Sequence, residues 1–287
     1  MKNLFSLLAL LFALQGFAQH RDQKIYFLWG YNRSWYNKSD IHLKGEGYDF
    51  TIHDAIADDM PEELSWVYLD PGKFSIPQFN FRAGYYINEN WSISAGWDHM
   101  KYVMRNGQTA KISGYIHREA IDETAMSTNP QVIRYVGEYD DDDVLLSREF
   151  LKYEHTDGLN FVRVALERTT EVANLYDGKF NICWQNAVGT GPVLPWTDFR
   201  MLSGKRWKNR LHFSGWGVGV QTGVRLEFLK SFYLQSMVSA GYINLFDVEQ
   251  KMHESDTGDQ EISYVSWDVV AGAYINWKRI LKRERAN

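Results

Sequence analysis

The segment 211–228, LHFSGWGVGVQTGVRLEF, alternates strictly between two kinds of side chain. Such alternation predicts a β-strand whose two faces meet different surroundings. One face is mostly apolar (Trp216, Val218, Val220, Thr222, Val224, Leu226 and Phe228), and the other carries glycine with polar and charged residues (Gly215, Gly217, Gly219, Gln221, Gly223, Arg225 and Glu227). A strand facing water has no need of glycine, which weakens it, whereas bulky side chains converge in the lumen of a small barrel. The segment therefore predicts an outer-membrane β-barrel with a polar interior and an apolar exterior.

The N-terminal segment MKNLFSLLALLFALQGFAQ has the features of a secretory signal peptide. Lys2 gives a positive start, the run from Leu4 to Leu14 is apolar, and Gly16-Phe17-Ala18 offers a cleavage site of small residues. The apolar run is too short to span a membrane as a helix, although a membrane anchor and a buried helix are the alternatives. We expect residues 1–18 to be removed by the Sec pathway, which leaves one mature domain, 19–287. No cysteine follows the cleavage site, so the signal is not that of a lipoprotein.

Composition excludes several classes of protein. With 45% hydrophobic residues and a mean hydropathy of -0.41, the chain is too polar for a helical membrane protein. A β-barrel escapes this limit because only every second residue faces lipid, and 11 Trp and 17 Tyr suit its interfacial girdles. The net charge of -5 implies no nucleic-acid partner. Cys183 is alone, which excludes an internal disulfide, and we expect it to be a small buried or lumen residue.

Eight segments alternate in this way, and each is long enough to cross a bilayer at the usual tilt. The fold class that follows is all-β, an eight-stranded antiparallel up-and-down transmembrane barrel. The predicted strands are 24–36, 74–87, 91–104, 159–172, 180–189, 211–228, 232–245 and 262–277.

The connections between these segments alternate between short and long. The short ones lie at 88–90, 175–178 (with the hairpin signal Asp177-Gly178) and 229–231, and the long ones at 37–73, 105–158, 190–210 and 246–261. Short periplasmic turns and long outer loops are typical of outer-membrane barrels. An even number of strands places both termini in the periplasm, where the basic segment 278–287 would form a short tail. Weak alternation in 41–50, 109–117 and 145–153 predicts hairpins that extend the barrel wall.

Taken together, these features resemble the small outer-membrane β-barrel proteins of Gram-negative bacteria, especially those of the Bacteroidota. The signal peptide, the eight sided strands and the aromatic last strand Tyr264–Trp277 carry the resemblance, which covers residues 24–277. It implies a monomer that meets outer-membrane lipid and lipopolysaccharide and that is inserted by the barrel-assembly machinery. Two features depart from the pattern: ten residues follow Trp277, and there is no periplasmic peptidoglycan-binding domain.

The polar faces of the predicted strands would enclose nearly balanced acids and bases. Charges in a narrow interior of low dielectric must be paired, so we expect a salt-bridged and mostly closed lumen. The alternative is a narrow channel whose charged rings select small solutes, although eight strands leave room for little besides side chains. The predicted lumen residues are Gln78, Arg82, Asp98, Arg163, Glu167, Glu171, Gln221, Arg225, Glu227 and Asp268.

An enzyme that modifies lipid A is a further alternative. Its candidate catalytic residues are His99, His155, Asp157 and Ser147, because a histidine oriented by a carboxylate beside a hydroxyl activates a nucleophile. No spacing among them matches a known motif, and His99 falls on the lipid-facing parity, where an interfacial histidine is commoner. We therefore expect a protein without enzymatic activity or cofactor, in a structural or surface-interaction role.

Two charged clusters lie in the predicted outer loops. Carboxylates such as those of Glu138, Asp140, Asp141, Asp142 and Asp143 can hold Ca²⁺ or Mg²⁺, but this run lacks the glycine-punctuated spacing of a dedicated metal loop, so a solvated acidic loop is expected. The basic cluster suits either lipopolysaccharide phosphates or an interfacial anchor, and consists of Lys205, Arg206, Lys208 and Arg210 around Trp207. A soluble alternative, a lipocalin-like periplasmic barrel, would instead turn the apolar face inward.

Overall fold

The structure is a computed structural model that describes residues 21–63, 65, 77–176, 179–208, 211–250 and 256–276. Several sequence predictions fall outside the described residues: the signal peptide, the start of the second strand, the Asp177-Gly178 turn, Arg210 and the basic tail. In the described part, fifteen strands join in one sheet. None of the helices in this part is both long enough and apolar enough to span a membrane.

Eight of the fifteen strands form a closed antiparallel ring, because each pairs with the next along the chain and the first pairs with the last. The first and last strands share twelve residue pairs, from Ile25 opposite Ile275 to Tyr36 opposite Tyr264. The ring strands are β1 (Ile25–Tyr36), β5 (Phe79–Tyr86), β6 (Trp91–Met104), β9 (Leu151–Leu175), β10 (Phe180–Pro195), β13 (Gly215–Phe228), β14 (Phe232–Glu249) and β15 (Thr257–Ile275).

Beyond the ring, the sheet continues from the upper end of β15. Residues 257–260 of β15 leave β1 and pair with β2 (Ser39–Gly45), which pairs in turn with β3 (Tyr48–Ala55), β7 (Gln108–Ile116) and β8 (Gly137–Leu146). We call these four strands the wall extension. Three short strands pair with the ring or with each other: β4 (Ala57–Asp58), β11 (Asp198–Met201) and β12 (Trp207–Lys208). Between β7 and β8 lie α1 (Glu123–Thr128) and two 3-10 turns (Arg118–Ala120 and Pro130–Tyr135).

The prediction of an all-β, antiparallel, up-and-down sheet is confirmed, but a count of eight strands is too low. Of the wall extension, β2, β3 and β7 were expected only as loop hairpins, since their alternation is weak. The acidic run of β8 was expected to be a solvated loop, and this prediction is wrong because the run pairs with β7 as a strand. The segment 145–153, which was expected to belong to a hairpin, is divided by a turn at 147–150 between β8 and β9, and these two strands do not pair with each other within the described residues. Four ring strands also begin earlier or end later than predicted: β9 begins at Leu151 rather than at 159, β10 ends at Pro195 rather than at 189, β14 ends at Glu249 rather than at 245, and β15 begins at Thr257 rather than at 262.

Side-chain exposure follows the predicted alternation around the ring. On β13, Trp216, Val218 and Val220 are 48–55% exposed, whereas Gln221, Arg225 and Glu227 are at most 5% exposed. Six exposed tryptophans on the ring strands point outward in the same way: Trp29, Trp35, Trp91, Trp184, Trp216 and Trp267. The inverted arrangement of the soluble alternative is therefore wrong for this chain.

The interior has two levels of different character. Near the short turns, polar residues and tyrosine rings fill the ring, and glycines face those rings, as Gly272 faces Tyr233. Above them, a large apolar core joins the upper ring strands to the wall extension, with Phe50, Ile52 and Phe161 at most 1% exposed. The polar level thus lies beneath an apolar cap.

Candidate functional site

The centre of the ring holds a network of buried charges contributed by five strands. The guanidinium of Arg82 (β5) donates to both carboxylate oxygens of Asp98 (β6) at 3.0 and 3.1 Å. Arg163 (β9) lies 3.3 Å from the same carboxylate through its Nε. Both arginines also donate to the amide oxygen of Gln221 (β13), Arg82 at 2.6 Å. The amide nitrogen of Gln221 donates to Asp268 (β15) at 3.0 Å. Gln221 therefore links the two arginines and Asp98 to a second carboxylate.

Glu167 extends this network toward the short turns. It accepts a hydrogen bond from Ser94 at 2.6 Å and another from the amide of Gln185 at 3.0 Å. All these groups are at most 5% exposed. Ionised groups at such depth are tolerated only when they are paired and hydrogen-bonded, so the network fixes the relative positions of the strands that carry it.

A second network lies nearer the short turns and is centred on Arg225. Its guanidinium donates to Tyr86 at 2.6 Å, to Tyr274 at 2.9 Å and to Gln235 at 2.7 Å, and lies 4.3 Å from the centre of the Tyr233 ring. The hydroxyl of Tyr274 donates to Glu227 at 2.5 Å. Glu227 also accepts from Arg21 at 2.8 Å, which places a residue before β1 inside the ring.

The structure thus places the predicted lumen residues inside the ring with two qualifications. Glu171 is only half-buried. Gln78 is buried but binds Asp59, which also accepts from Arg33 at 2.8 Å, so it belongs to a separate cluster. Sequence reasoning missed Arg21 and the tyrosines that surround Arg225. The tyrosines share the parity of the polar face, which is the signal that identifies them in retrospect.

His99 does not occupy the lipid-facing position expected from its parity. It is 1% exposed and stacks on Phe79 with ring centroids 5.0 Å apart. Its Nδ1 lies 2.7 Å from the amide oxygen of Asn160, which also accepts from Trp97 at 2.8 Å. The prediction fails because neighbouring side chains cover this part of the outer face, and His99 has a packing role there.

His155 and Ser147 have hydrogen-bond partners of their own. His155 is buried beside Tyr102 and Tyr153, and its Nδ1 lies 3.1 Å from the hydroxyl of Thr197. Burial lowers the pKa of His155 to about 3, which keeps the ring neutral. Ser147 instead hydrogen-bonds with Tyr135 at 3.0 Å. The carboxylate of Asp157 interacts electrostatically with Lys101 and Arg206. The structure does not bring Ser147, Asp157 and a histidine into one site.

The charged clusters of the predicted loops are held by ion pairs. Along β8, Glu138 meets His117 at 3.0 Å and Asp143 meets Lys111 at 3.4 Å. Asp140 and Asp142 belong to the same strand, and Asp141 lies at a bulge with φ +60°. Within the described residues, no group of three or more acidic, histidine or cysteine side chains has a metal-binding arrangement.

In the basic cluster, Arg206 is tied to Asp198, which also accepts from Lys152 at 2.5 Å. Burial alone would raise the pKa of Asp198, but the hydrogen bonds from these two cations outweigh it and lower that pKa. Lys205 is exposed. The charge of Arg206 is thus already paired within the protein.

A polar cleft of about 620 Å³ opens where the wall extension leaves the ring. His42 lies on one side of it, with Asp259 2.6 Å from its Nδ1 and Asp49 2.8 Å from its Nε2. Partial burial lowers the pKa of His42, but the two carboxylates outweigh it, so that the pKa is raised. The remaining lining residues are Lys38, Ser39, Asp40, Thr51, Tyr242, Gln260, Glu261 and Ser263.

Comparison with solved structures gives alignments that span almost the whole of this chain. The attachment invasion locus protein Ail of Yersinia pestis, solved with the heparin analogue sucrose octasulfate, is 10% identical, with 88% of this chain and 99% of that chain covered and a TM-score of 0.32. The outer membrane protein OprG from Pseudomonas aeruginosa is 9% identical over 90% and 98% of the two chains, with a TM-score of 0.39.

The outer membrane protease OmpT from Escherichia coli aligns with 6% identity over 90% of this chain and 99% of that chain, at a TM-score of 0.22. No family model and no curated protein matches the chain. Because the TM-scores of these three structures are all below 0.5, the fold described above rests on the strand pairing of this chain alone.

Proposed function

We propose that this chain is an integral outer-membrane β-barrel with a closed lumen, in which the part above the membrane serves a structural or surface-interaction role. The observation that carries this proposal is the reversed polarity of the ring. Large apolar side chains point outward from all eight ring strands, while arginines and carboxylates are enclosed. Water-soluble proteins rarely expose apolar patches of more than a few hundred Å², and bilayer-spanning barrels require such a belt.

The belt is continuous around the ring. It is built from aliphatic and aromatic side chains at successive outward positions, each at least 36% exposed. One or two members on each strand illustrate it: Phe27 and Trp29 on β1, Phe81 on β5, Ile93 on β6, Val164 and Leu166 on β9, Val188 on β10, Val218 and Val220 on β13, Leu234 and Val238 on β14, and Trp267 and Val269 on β15.

The orientation follows from the two ends of the ring. The turns between β5 and β6 and between β13 and β14 are short, whereas the wall extension and its apolar core lie at the opposite end. Outer-membrane barrels keep short turns in the periplasm and long segments outside. We therefore assign the short turns and both termini to the periplasm after Sec export, and the wall extension to the cell surface, beside lipopolysaccharide.

The packing of the described interior favours a closed barrel over the alternative of a narrow channel. The central network bridges the ring from β5 to β13 and β15. Directly above it, Phe161, Ile243 and Leu245 belong to the apolar core that caps the lumen. For hydrated solutes to pass, the side chains of the central network and those of the apolar core above it would have to move apart.

Membrane integration can be tested by producing the chain in a Gram-negative host and extracting the isolated envelope at alkaline pH. We expect the protein to stay in the outer-membrane fraction and to migrate faster on gels when unheated than when boiled. Recovery in the soluble periplasmic fraction would contradict the proposal. Fractionation is unaffected by whether the lumen conducts, so the closed state needs its own test.

For the closed lumen, the purified protein can be inserted into planar bilayers and the current recorded. We expect no stable single-channel steps in the unaltered protein, since the two filled levels leave no aqueous path. Reproducible steps of one conductance would sink the closed-lumen assignment and support the channel. Steps that appear only after Arg163→Ala, which opens the central network, would support the assignment.

A further inference from the structure

The outward face of the wall extension brings three chemistry-bearing side chains together from three strands. His53 on β3 has its Nδ1 3.2 Å from a carboxylate oxygen of Asp40 on β2. Its Nε2 lies 3.1 Å from the hydroxyl oxygen of Ser113 on β7. In the tautomer that donates Nδ1–H to Asp40, Nε2 accepts the hydroxyl proton of Ser113. The order carboxylate, imidazole, hydroxyl is the arrangement that activates a serine nucleophile.

A backbone irregularity brings Asp40 and His53 together. The pairing of β2 with β3 shifts between Ser39 and Ile41, so that His53 and Asp54 together oppose Asp40. Asp54 has φ +54°, and its N–H donates to the second carboxylate oxygen of Asp40 at 2.9 Å. A bulge re-aims side chains and is enriched beside active sites, and left-handed backbone at a non-glycine residue is costly enough to need a reason.

A second irregularity lies at the serine. The pairing of β7 with β8 shifts between Ile112 and Ser113, opposite Asp141, whose φ is +60°. The regular ladder of a flat sheet would not require either departure. The first departure sets His53 and Asp54 together against Asp40, whereas the pairing of β3 with β7 is regular and places Ser113 diagonally across from His53.

We propose that Ser113, His53 and Asp40 form a catalytic group that hydrolyses carboxylic esters, a function beyond the structural role of the barrel. Ser113 Oγ attacks the carbonyl carbon of the ester while its proton passes to His53 Nε2. The bond between that carbon and the alcohol oxygen then breaks, and His53 returns the proton to the departing alcohol. Water next attacks the acyl-serine, gives a proton to His53, and releases the acid as Ser113 regains its hydrogen. Asp40 holds the imidazole in the required tautomer.

The surroundings indicate how a substrate would lie. Thr51 pairs directly with Ser113 and lines the polar cleft of about 620 Å³, as does Asp40, so this cleft begins beside the nucleophile. Its hydroxyl, amide and charged lining suits an ester whose alcohol portion is polar. Lys111 lies directly opposite His53 on β7, with its ammonium 3.4 Å from a carboxylate oxygen of Asp143 on β8. His53 is 34% exposed, which leaves the group open to a large ester at the cell surface.

The test uses the full mature chain in detergent micelles with a fluorophosphonate probe and with 4-nitrophenyl acetate. We expect the probe to label Ser113, identified by peptide mass spectrometry, and Ser113→Ala to lose both the label and ester hydrolysis. His53→Gln and Asp40→Asn remove the base and its orienting partner, so each should slow labelling of Ser113 by about 10²-fold.

Ser147→Ala is the matched control, because Ser147 is also a half-buried serine with a hydrogen-bonded hydroxyl but has a tyrosine as its partner. It should label at Ser113 as fast as the unaltered chain. Far-ultraviolet circular dichroism confirms that each variant keeps its strands. The proposal is overturned if no serine is labelled, if the label resides elsewhere, or if Ser113 in the folded His53→Gln variant reacts at the unaltered rate.

Discussion

At the scale of single residues, the stability of the barrel depends on groups that are costly to leave unpaired. Asp98 is the shared anion of the central network and lies between two buried arginines. Asp98→Asn keeps the shape of the side chain but leaves both guanidinium groups without their counter-charge. We expect this change to lower the free energy of unfolding by about 3–5 kcal/mol, measured by urea titration of protein folded into lipid vesicles.

The matched control for Asp98→Asn is an ion pair between two turns that flank the strand β8. Glu149 lies 3.3 Å from Arg134, and both side chains are close to half-exposed. Glu149→Gln should change the free energy of unfolding by about 1 kcal/mol or less, because exposed pairs are screened by water. Equal losses from the two substitutions would contradict the account of a buried, interdependent network.

His155 makes the stability of the upper core depend on pH. Its pKa is lowered to about 3 by burial, from an unfolded value near 6.5. The unfolded chain therefore binds the proton more readily, and the contribution of this residue to stability is complete above pH 6.5 and is lost as the pH falls toward 3. The expected slope is about 1.4 kcal/mol per pH unit in that window. Urea titrations at several pH values should show a shallower dependence in His155→Leu; identical curves would exclude this origin.

At the scale of the strand, the free-energy cost of introducing a charged side chain at an outward position depends on whether that position lies in lipid or in water. Val238 on β14 is 51% exposed within the belt, and Leu145 on β8 is 50% exposed in the wall extension. If lipid covers only the belt, Val238→Arg should lower the free energy of unfolding in vesicles by about 2–4 kcal/mol. Leu145→Arg should have little effect, since its surroundings are water. Similar costs at both positions would mean that both faces meet the same solvent.

The strands that line the membrane belt were the most predictable elements. Their outer face is apolar and their inner face polar, so the residues of β13 and of the first half of β6 show by their identity which side they face. The limits of β9 and β10 were less predictable, because their upper parts pack between an apolar core and water and lose the sharp contrast. Weak alternation did locate β2, β3 and β7, but it could not tell a loop hairpin from a continuous wall.

The residues of the candidate sites could be predicted only where alternation along a strand fixes the face on which they lie. Arg82, Arg163 and Asp268 fall on the polar face and come together because the ring closes. His99 was misplaced because parity describes the side of a strand and not what covers it. The contact of His53 with Asp40 depends on a register shift between β2 and β3, and a shift of this kind has no signature in one sequence.

For the molecule as a whole, two interiors share one continuous wall. At the lower level the interior is polar and the outer face of the wall is an apolar belt. At the upper level the interior is apolar and the outer face carries charged residues such as Asp40, Lys111 and Asp143. This exchange of inside and outside along the same strands is the feature that a membrane boundary explains. Below the boundary the surrounding medium is hydrocarbon, and above it the medium is water.

The location of that boundary is tested most directly by spin labels in the reconstituted protein. Cys183→Ser supplies a background without cysteine, and single cysteines at Val220 or Leu145 each carry one nitroxide. The account predicts that the label at Val220 collides with oxygen, which concentrates in acyl chains, and is shielded from a water-soluble nickel chelate. The label at Leu145 should show the opposite preference. Equal access of the nickel chelate to both positions would contradict the central claim that the outward apolar face lies in lipid.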